Sequence, residues 1–421
     1  MLKQLEGSQG VAQAVALCRP DVVCAYPISP QTHIVENLGL LCRKGVLADC
    51  EYINVESEFA AMSVAIGASV AGGRAYTATA SQGLLYMAEA VYNAGGLGLP
   101  VVMTVANRAI GAPINIWNDH SDSMSQRDCG WIQLFAENNQ EACDLHIQAF
   151  RIAEEMSIPV MVCMDGFVLT HAFEEMDIPD QASVDAFLPP YRPRQQLDPD
   201  HPYSIGAMVG PEAFTEVRWL ADRRMQEAIP VIEKTQALFH EIFGRISGGL
   251  LSTYRMEDAE AAVLVMGALA GTVKDAVDEM REDGARIGVI VLKSFRPFPF
   301  KALREALKSL RSVVVMERMV SAGGAGAVSL EVMKALRGLP VRQSTLIAGL
   351  GGRAVTRQAL KPYFARALAG TLEEEEIFLD LDEELVRRQM EREKASRHIG
   401  PVAEALNRHV NERKLARGEE I

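Results

Sequence analysis

Along the first half of the chain, apolar positions switch repeatedly between helical spacing and short solid runs. Residues 10–20, "GVAQAVALCRP", carry them at helical spacing, and residues 21–28, "DVVCAYPI", pack them into a buried strand that ends in prolines. The same pair of patterns recurs. "THIVENLGLLCRKG" (32–45) is helical, and "CEYINV" (50–55) is a strand. A helix of almost only small and apolar residues follows, with Glu56 and Glu58 at its entrance. "RAYTATA" (74–80), "LPVVMTVANR" (99–108) and "IPVMVCMDGF" (158–167) read as further strands. "QGLLYMAEAVYNAGG" (82–96) and "QEACDLHIQAFRIAEEM" (140–156) read as the helices between them. Strands alternating with helices predict an α/β fold with a parallel sheet covered on both faces.

The pattern breaks near 178–210, where "FLPPYRPRQQLDPDHPYSIGAMVGPEAF" is rich in Pro, Asp and Gly and has no strong period. It reads as a long ordered connection. A helical stretch covers about 212–246, and a second alternating unit begins near 250. Three domains are expected: 1–240 with the Pro-rich connection inside it, a smaller α/β domain over 250–365, and a charged helical tail over 374–421.

Composition narrows the function. The chain has 421 residues, enough for more than one core, and a formal net charge of −13. An acidic surface argues against nucleic acid and against anionic membrane as partners. Seven scattered cysteines with no C-x-x-C pair hold no zinc ribbon and no iron–sulfur ligand run; they predict reduced thiols in a cytosolic protein. No stretch has the apolar length of a membrane span, and the first residues have no signal-peptide core, so the expected location is the cytoplasm.

In an open parallel sheet, ligands lie beyond the carboxyl ends of the strands. The segments that follow the predicted strands there are "YPISPQT" (26–32), "ESE" (56–58), "SQG" (81–83) and "ANRAIGAPINIWNDHSD" (106–122). All four would meet on one edge. Taken singly, each has a structural reading: a turn and cap, a solvated glutamate, a tight strand-to-helix turn, a surface arginine. Glu56 and Glu58 stand two apart at a helix start and so face different ways. One can remain in solvent while the other turns inward, where an unpaired charge is costly and its proton affinity can be put to use.

These segments, with "ESEFAAM", "TATASQGL", "DCGWIQ", "LKSFRPFP" and "IAGLGGRAVT", resemble the α subunit of 2-oxoacid:ferredoxin oxidoreductases of the pyruvate type. The resemblance covers most of residues 1–365, and "PINIWNDHSD" is its most specific part. It implies a pyrimidine-side thiamine diphosphate domain followed by a smaller domain like the C-terminal domain of transketolase. The cofactor's diphosphate and Mg²⁺ would sit on a β subunit, because the Gly-Asp-Gly signature with a downstream Asn is absent here. The [4Fe-4S] clusters would sit on partner subunits, with a γ and an iron–sulfur δ subunit. Electrons would leave to ferredoxin, or to NAD through a flavin subunit, and the acyl group to coenzyme A. Residue by residue, Glu58 matches the glutamate that bonds the pyrimidine nitrogen and favours the tautomer that takes the catalytic proton. Thr32 matches the threonine that contacts the 2-oxo acid, and Arg108 the arginine that pairs with its carboxylate. Pro30, Ser81 and Gln82 join Glu58 as cofactor-side residues, and Asn115, Asn118 and Asp119 support the loop.

Three rivals stand beside this reading. The substrate can be a branched-chain or aromatic 2-oxo acid, such as phenylglyoxylate, in place of pyruvate. The chain can be a non-catalytic assembly subunit, against which the intact Thr32, Glu58 and Arg108 set speaks. The glycine loop "SAGGAGAVS" (321–329) can suggest a nucleotide-binding dehydrogenase, although it lacks the full G-x-G-x-x-G context.

Overall fold

The computed structural model describes residues 2–202, 204–324 and 326–394. In chain order the first strands are β1 (Leu2–Glu6), β2 (Val22–Ala25), β3 (Glu51–Asn54), β4 (Ala75–Thr79), β5 (Val102–Asn107), β6 (Ile132–Phe135), β7 (Val160–Asp165) and β8 (Phe173–Asp177). The later ones are β9 (Leu251–Tyr254), β10 (Ala261–Val265), β11 (Ile287–Leu292), β12 (Ser294–Arg296), β13 (Ser312–Glu317), β14 (Arg342–Ile347) and β15 (Glu376–Phe378). They form a seven-stranded sheet in the order β12-β6-β7-β5-β4-β2-β3 and a six-stranded sheet in the order β15-β14-β13-β10-β11-β9. β1 and β8 pair antiparallel by themselves.

Six strands of the first sheet are mutually parallel, so the carboxyl ends of β2 to β7 share one edge. β4, β5 and β7 are buried along their whole length, as a sheet covered on both faces demands. One face packs against the helices Gly7–Leu17, Thr32–Arg43, Asn139–Met156 and Phe214–Phe243. The other face shares an unbroken apolar core with the second sheet, in which Met62, Leu84, Met103 and Met161 join Leu264, Ile290, Val313 and Val332.

The structure departs from the sequence pattern in several places. β6 and β12 are short and have no readable period. β12 leaves the second alternating unit and closes the first sheet, antiparallel to β6. The segment expected as one helix over 82–96 is two, Ser81–Tyr86 and Ala88–Leu97, broken at Met87. A short helix, Gln181–Phe187, lies inside the connection that shows no period.

The chain divides into two compact units, Met1–Ile377 and Phe378–Ile421, and the first holds both large sheets apart from the last residue of β15. Two buried ion pairs cross the first unit. Lys293 Nζ donates to Glu141 Oε2 at 2.6 Å, and Arg318 Nη1 to Asp165 Oδ1 at 2.7 Å. In the second unit the helix Glu383–Lys394 is capped by Asp382, whose carboxylate accepts from Leu385 N at 2.8 Å. The rest of the charged tail expected as helix, beyond residue 394, lies outside the described residues.

Candidate active site

The four polar segments do meet at the carboxyl edge of the first sheet, and Asp122 ties two of them together. Its fully buried carboxylate accepts from Ser81 N and from Arg108 N, each at 2.9 Å. It also accepts from Asn107 Nδ2 at 2.8 Å and from Ser123 N at 2.7 Å. Burial pushes this carboxyl up to about 6, against the N–H donors that hold it down. The turn after β4 is thereby locked to the end of β5. Ser81 itself sits in the left-handed region, φ 48°, and its hydroxyl donates to Ala109 O at 2.6 Å and to the Gln82 side-chain oxygen.

Arg108 reaches from the end of β5 to the segment after β2. Its Nη1 donates to Ser29 O at 2.9 Å, and its Nε to Asn115 O at 3.3 Å. The side chain is largely buried, and burial lowers its proton affinity. Among the described residues no carboxylate lies within ion-pair distance of it. Its guanidinium is held in place by two carbonyls, and Asp122 is the nearby charge that acts on it. Pro30 is buried beneath the same segment, against Gly166, where an added Cβ would come within 2.6 Å of it. Thr32, partly buried, opens the helix Thr32–Arg43. The residue before it, Gln31, is fully buried and donates to Ala78 O at 2.7 Å and to Tyr26 O at 3.2 Å, which fixes this helix start to β4.

The two glutamates at the head of the small-residue helix part company as their spacing requires. Glu56 is exposed and Glu58 is buried, with 8% of its surface accessible. Ser57 caps the helix Glu58–Val70, its hydroxyl accepting from Ala60 N at 3.2 Å. The cap aims Glu58 across β4 toward Gly83. A Cβ added at Gly83 would lie 2.7 Å from Glu58 Oε1 and 2.6 Å from Thr79 Oγ1, so Gly83 leaves the space these two groups border. The Glu58 carboxylate makes no hydrogen bond or ion pair among the described residues, and Thr79 Oγ1 is buried without a partner. An acceptor on a largely buried side chain, next to an orphaned buried hydroxyl, offers a ligand two polar contacts.

Asn115, Asn118 and Asp119 spend their polar atoms on the loop itself, on the turn after β14 and on the end of β7. Asn115 Nδ2 donates to Gly351 O at 3.1 Å, and its Oδ1 accepts from Trp117 N at 2.7 Å. Asn118 Nδ2 donates to Asp165 Oδ1 at 3.2 Å, and Asp119 accepts from Ser121 N at 3.0 Å and from Gly351 N at 3.3 Å. Asp165, buried at the end of β7, also takes Arg318, His120 and the Ala268 N–H. Despite its burial, the Arg318 and His120 charges hold its carboxyl far below the usual range. Sequence reading passes over Asp165 and Arg318, because neither stands in a motif and they are 153 residues apart. The glycine loop near 321–326 is no phosphate cradle. Glu317 is buried under it and accepts from Ser329 N at 2.6 Å, which places a carboxylate where a phosphate would go.

A parallel sheet with a buried glutamate beside a glycine, and an arginine without an ion pair at the next strand end, makes this an α/β protein with a polar ligand site at the carboxyl edge of its sheet. Residues 13–237 match the family described as pyruvate flavodoxin/ferredoxin oxidoreductase, thiamine diphosphate-binding, and residues 259–360 match pyruvate:ferredoxin oxidoreductase core domain II. The chain belongs to the pyruvate flavodoxin/ferredoxin oxidoreductase family.

Among its relatives is the pyruvate synthase subunit PorA of Methanosarcina barkeri, 47% identical over 91% of this chain and 97% of the relative. The ketoisovalerate oxidoreductase subunit VorA of Pyrococcus horikoshii is 41% identical over 85% of this chain and 92% of the relative. Among solved structures, 2-oxoglutarate:ferredoxin oxidoreductase from Magnetococcus marinus superposes with a TM-score of 0.67 at 16% identity. The match covers 87% of this chain and 65% of that one, and at this identity it speaks for the fold. A split-gene transketolase, an inactive β4 tetramer, gives a TM-score of 0.52 at 13% identity over 89% of this chain and all of that one.

Proposed function

We propose that this chain is the pyrimidine-side α subunit of a multi-subunit 2-oxoacid:ferredoxin oxidoreductase, oxidatively decarboxylating pyruvate to acyl-CoA and CO₂. The observation that carries the proposal is the pair of largely buried side chains that make no ion pair among the described residues, Glu58 and Arg108, at one sheet edge. The residues fit the cofactor. Glu58 and Thr79, left without partners around the space that Gly83 keeps open, match a heteroaromatic ring that can hydrogen-bond with them. Bound thiamine diphosphate supplies the carbon nucleophile and the electron sink that breaking the bond beside a 2-oxo group requires.

The chain's own residues bind and orient. Glu58 would hold the pyrimidine ring nitrogen by sharing one proton with it, in a largely buried setting that strengthens the contact. Arg108 pairs with the substrate carboxylate, and Thr32 offers its hydroxyl to the oxo group. Pro30, Ser81 and Gln82 wall the pocket, and Asn115, Asn118 and Asp119 hold its covering loop. Exposed apolar residues stand on the same segments, Phe59 beside Glu58, Tyr86 on the helix that begins at Ser81, and Ile114 and Trp117 in the loop after Arg108, of the kind a partner chain covers. That partner is a β subunit carrying the diphosphate and Mg²⁺ site, with γ and δ subunits and their [4Fe-4S] clusters beside it. Ferredoxin is the acceptor, and an NAD-linked flavin subunit is the alternative. No helix among the described residues is long and apolar enough to cross a membrane; the location proposed for the enzyme is the cytoplasm.

A second reading keeps the chemistry and changes the acid. Identity to the ketoisovalerate subunit, 41%, nearly equals that to several PorA chains, such as 42% for Methanothermobacter thermautotrophicus. The contacts at Thr32 and Arg108 read the part that all 2-oxo acids share. The test is anaerobic purification of the native complex through a tag on this chain, followed by viologen reduction with a panel of 2-oxo acids, with and without coenzyme A. Pyruvate-dependent reduction supports the proposal. A preference for 3-methyl-2-oxobutanoate or phenylglyoxylate replaces the substrate, and no reduction by a complex holding thiamine diphosphate and intact clusters contradicts the function.

A further inference from the structure

Three side chains from distant parts of the chain converge beside the helix that begins at Thr32. Glu6 ends β1, His33 is the second residue of the helix Thr32–Arg43, and His171 lies in the turn between β7 and β8. Each offers a ligand atom, and these atoms lie within 4.8 Å of one another. His33 Nδ1 stands 2.6 Å from Glu6 Oε1, and the two imidazole rings are 4.7 Å apart between centroids. We infer that Glu6, His33 and His171 form a binding site for a borderline divalent cation, Zn²⁺ in the first place.

A plain glutamate–histidine pair leaves part of this arrangement unexplained. Glu6 is buried, 8% exposed, and no Lys or Arg bonds to it among the described residues. It occupies the N-cap position of the helix Gly7–Leu17, yet its side chain makes no cap hydrogen bond. One imidazole would satisfy it, yet a second imidazole is brought beside the first, held there by Thr170 and by the Phe167 ring. A cation shared by all three gives each a role.

The surroundings resemble those of metal ligands. His171 Nδ1 lies 2.7 Å from Thr170 Oγ1, which leaves Nε2 as its ligating atom. Thr170 is itself anchored: Ser8 Oγ donates to its carbonyl at 2.7 Å, and Phe167 N donates to its hydroxyl at 2.8 Å. His33 is partly exposed, with 45% of its side chain accessible, which gives a hydrated ion a way in. Two imidazoles and one carboxylate suit Zn²⁺ and other borderline ions better than Mg²⁺ or Ca²⁺, and leave a fourth position for water. Tetrahedral zinc needs ligand atoms roughly 3.3 Å apart, so on binding the 2.6 Å His33–Glu6 contact would open and the wider separations would close.

The test uses the full chain, purified through a tag without histidine and stripped with a chelator. Zn²⁺ is titrated calorimetrically, and Co²⁺ is followed by its visible absorption, which the chain without iron–sulfur subunits does not mask. One equivalent is expected to bind, with a Co²⁺ spectrum of low coordination number. Glu6→Gln and His171→Ala are each expected to weaken binding by about tenfold or more, and His201→Ala, at an exposed histidine elsewhere, to leave it unchanged. Thermal unfolding of the metal-free variants checks that they fold, and Glu6→Gln decides if His171→Ala does not. No saturable Zn²⁺ binding by the wild type, or binding that survives both substitutions, overturns the inference.

Discussion

Arg108 carries the smallest-scale claim, that a charge is fixed in place for a substrate. Two carbonyls hold its guanidinium, and no carboxylate pairs with it among the described residues. Arg108→Lys keeps the charge but loses the planar fork. Steady-state kinetics of the complex are expected to show KM for the 2-oxo acid raised by about tenfold or more, with a smaller change in kcat; an unchanged KM removes Arg108 from the substrate site. Asp165 is a different kind of residue, a structural anion taken up by Arg318, His120 and Asn118. Asp165→Asn leaves Arg318 buried without its counter-ion and is expected to cost about 3–5 kcal/mol in thermal or denaturant unfolding. The Asp165 carboxyl is depressed in the folded chain, below its ordinary 3.8. Its contribution is therefore complete above that ordinary value and fades as the pH falls through the lower, folded one. Between pH 8 and pH 9, above the ordinary ranges of both Asp and His, the destabilisation of Asp165→Asn is expected to stay constant, and a strong change there would contradict the assignment. Glu58 and Arg108 were legible in the sequence because each follows a strand in a recognisable motif. Asp165 and Arg318 were not, since only the fold brings them together.

At the scale of elements, the helix Glu58–Val70 and the helix Ser81–Tyr86 meet at a glycine. Helix propensity alone favours Ala over Gly inside a helix by about 1 kcal/mol. At Gly83 contact reverses the sign, because an added Cβ would meet Thr79 Oγ1 at 2.6 Å and Glu58 Oε1 at 2.7 Å. Gly83→Ala is expected to lose most thiamine diphosphate from the purified complex and to lower the unfolding temperature; full occupancy would show that the space at Gly83 is not used. The small residues of the first helix read as a run built to be buried, but the structure buries one stripe of it, Glu58, Ala61, Met62, Ala65 and Ser69. The rest is half-buried or exposed in this chain, as suits a surface that another subunit covers. β6 and β12 escaped the pattern for a physical reason. They have four and three residues, too few to show a period of two, and β12 runs directly into Pro297.

For the whole molecule, the alternation of strands and helices made the α/β class legible from the chain alone. The way the two sheets join was not. β12 crosses from the second alternating segment into the first sheet, and Lys293–Glu141 and Arg318–Asp165 add buried charges across the same body. The Pro-rich connection carries none of these links; Asp198, Asp200 and His201 are exposed. A single proteolytic cut near 198–202 is expected to leave both fragments together in size exclusion under native conditions, and separation would contradict the shared core. The central claim is that Glu58 works for a partner-supplied half-site, and one measurement addresses it directly: turnover of the Glu58→Gln complex beside the wild type, with subunit and iron–sulfur content verified equal. Viologen reduction by the Glu58→Gln complex is expected to fall by at least about a hundredfold, within the range typical of losing one positioned proton-transfer group. Wild-type turnover in that assembled complex would contradict it.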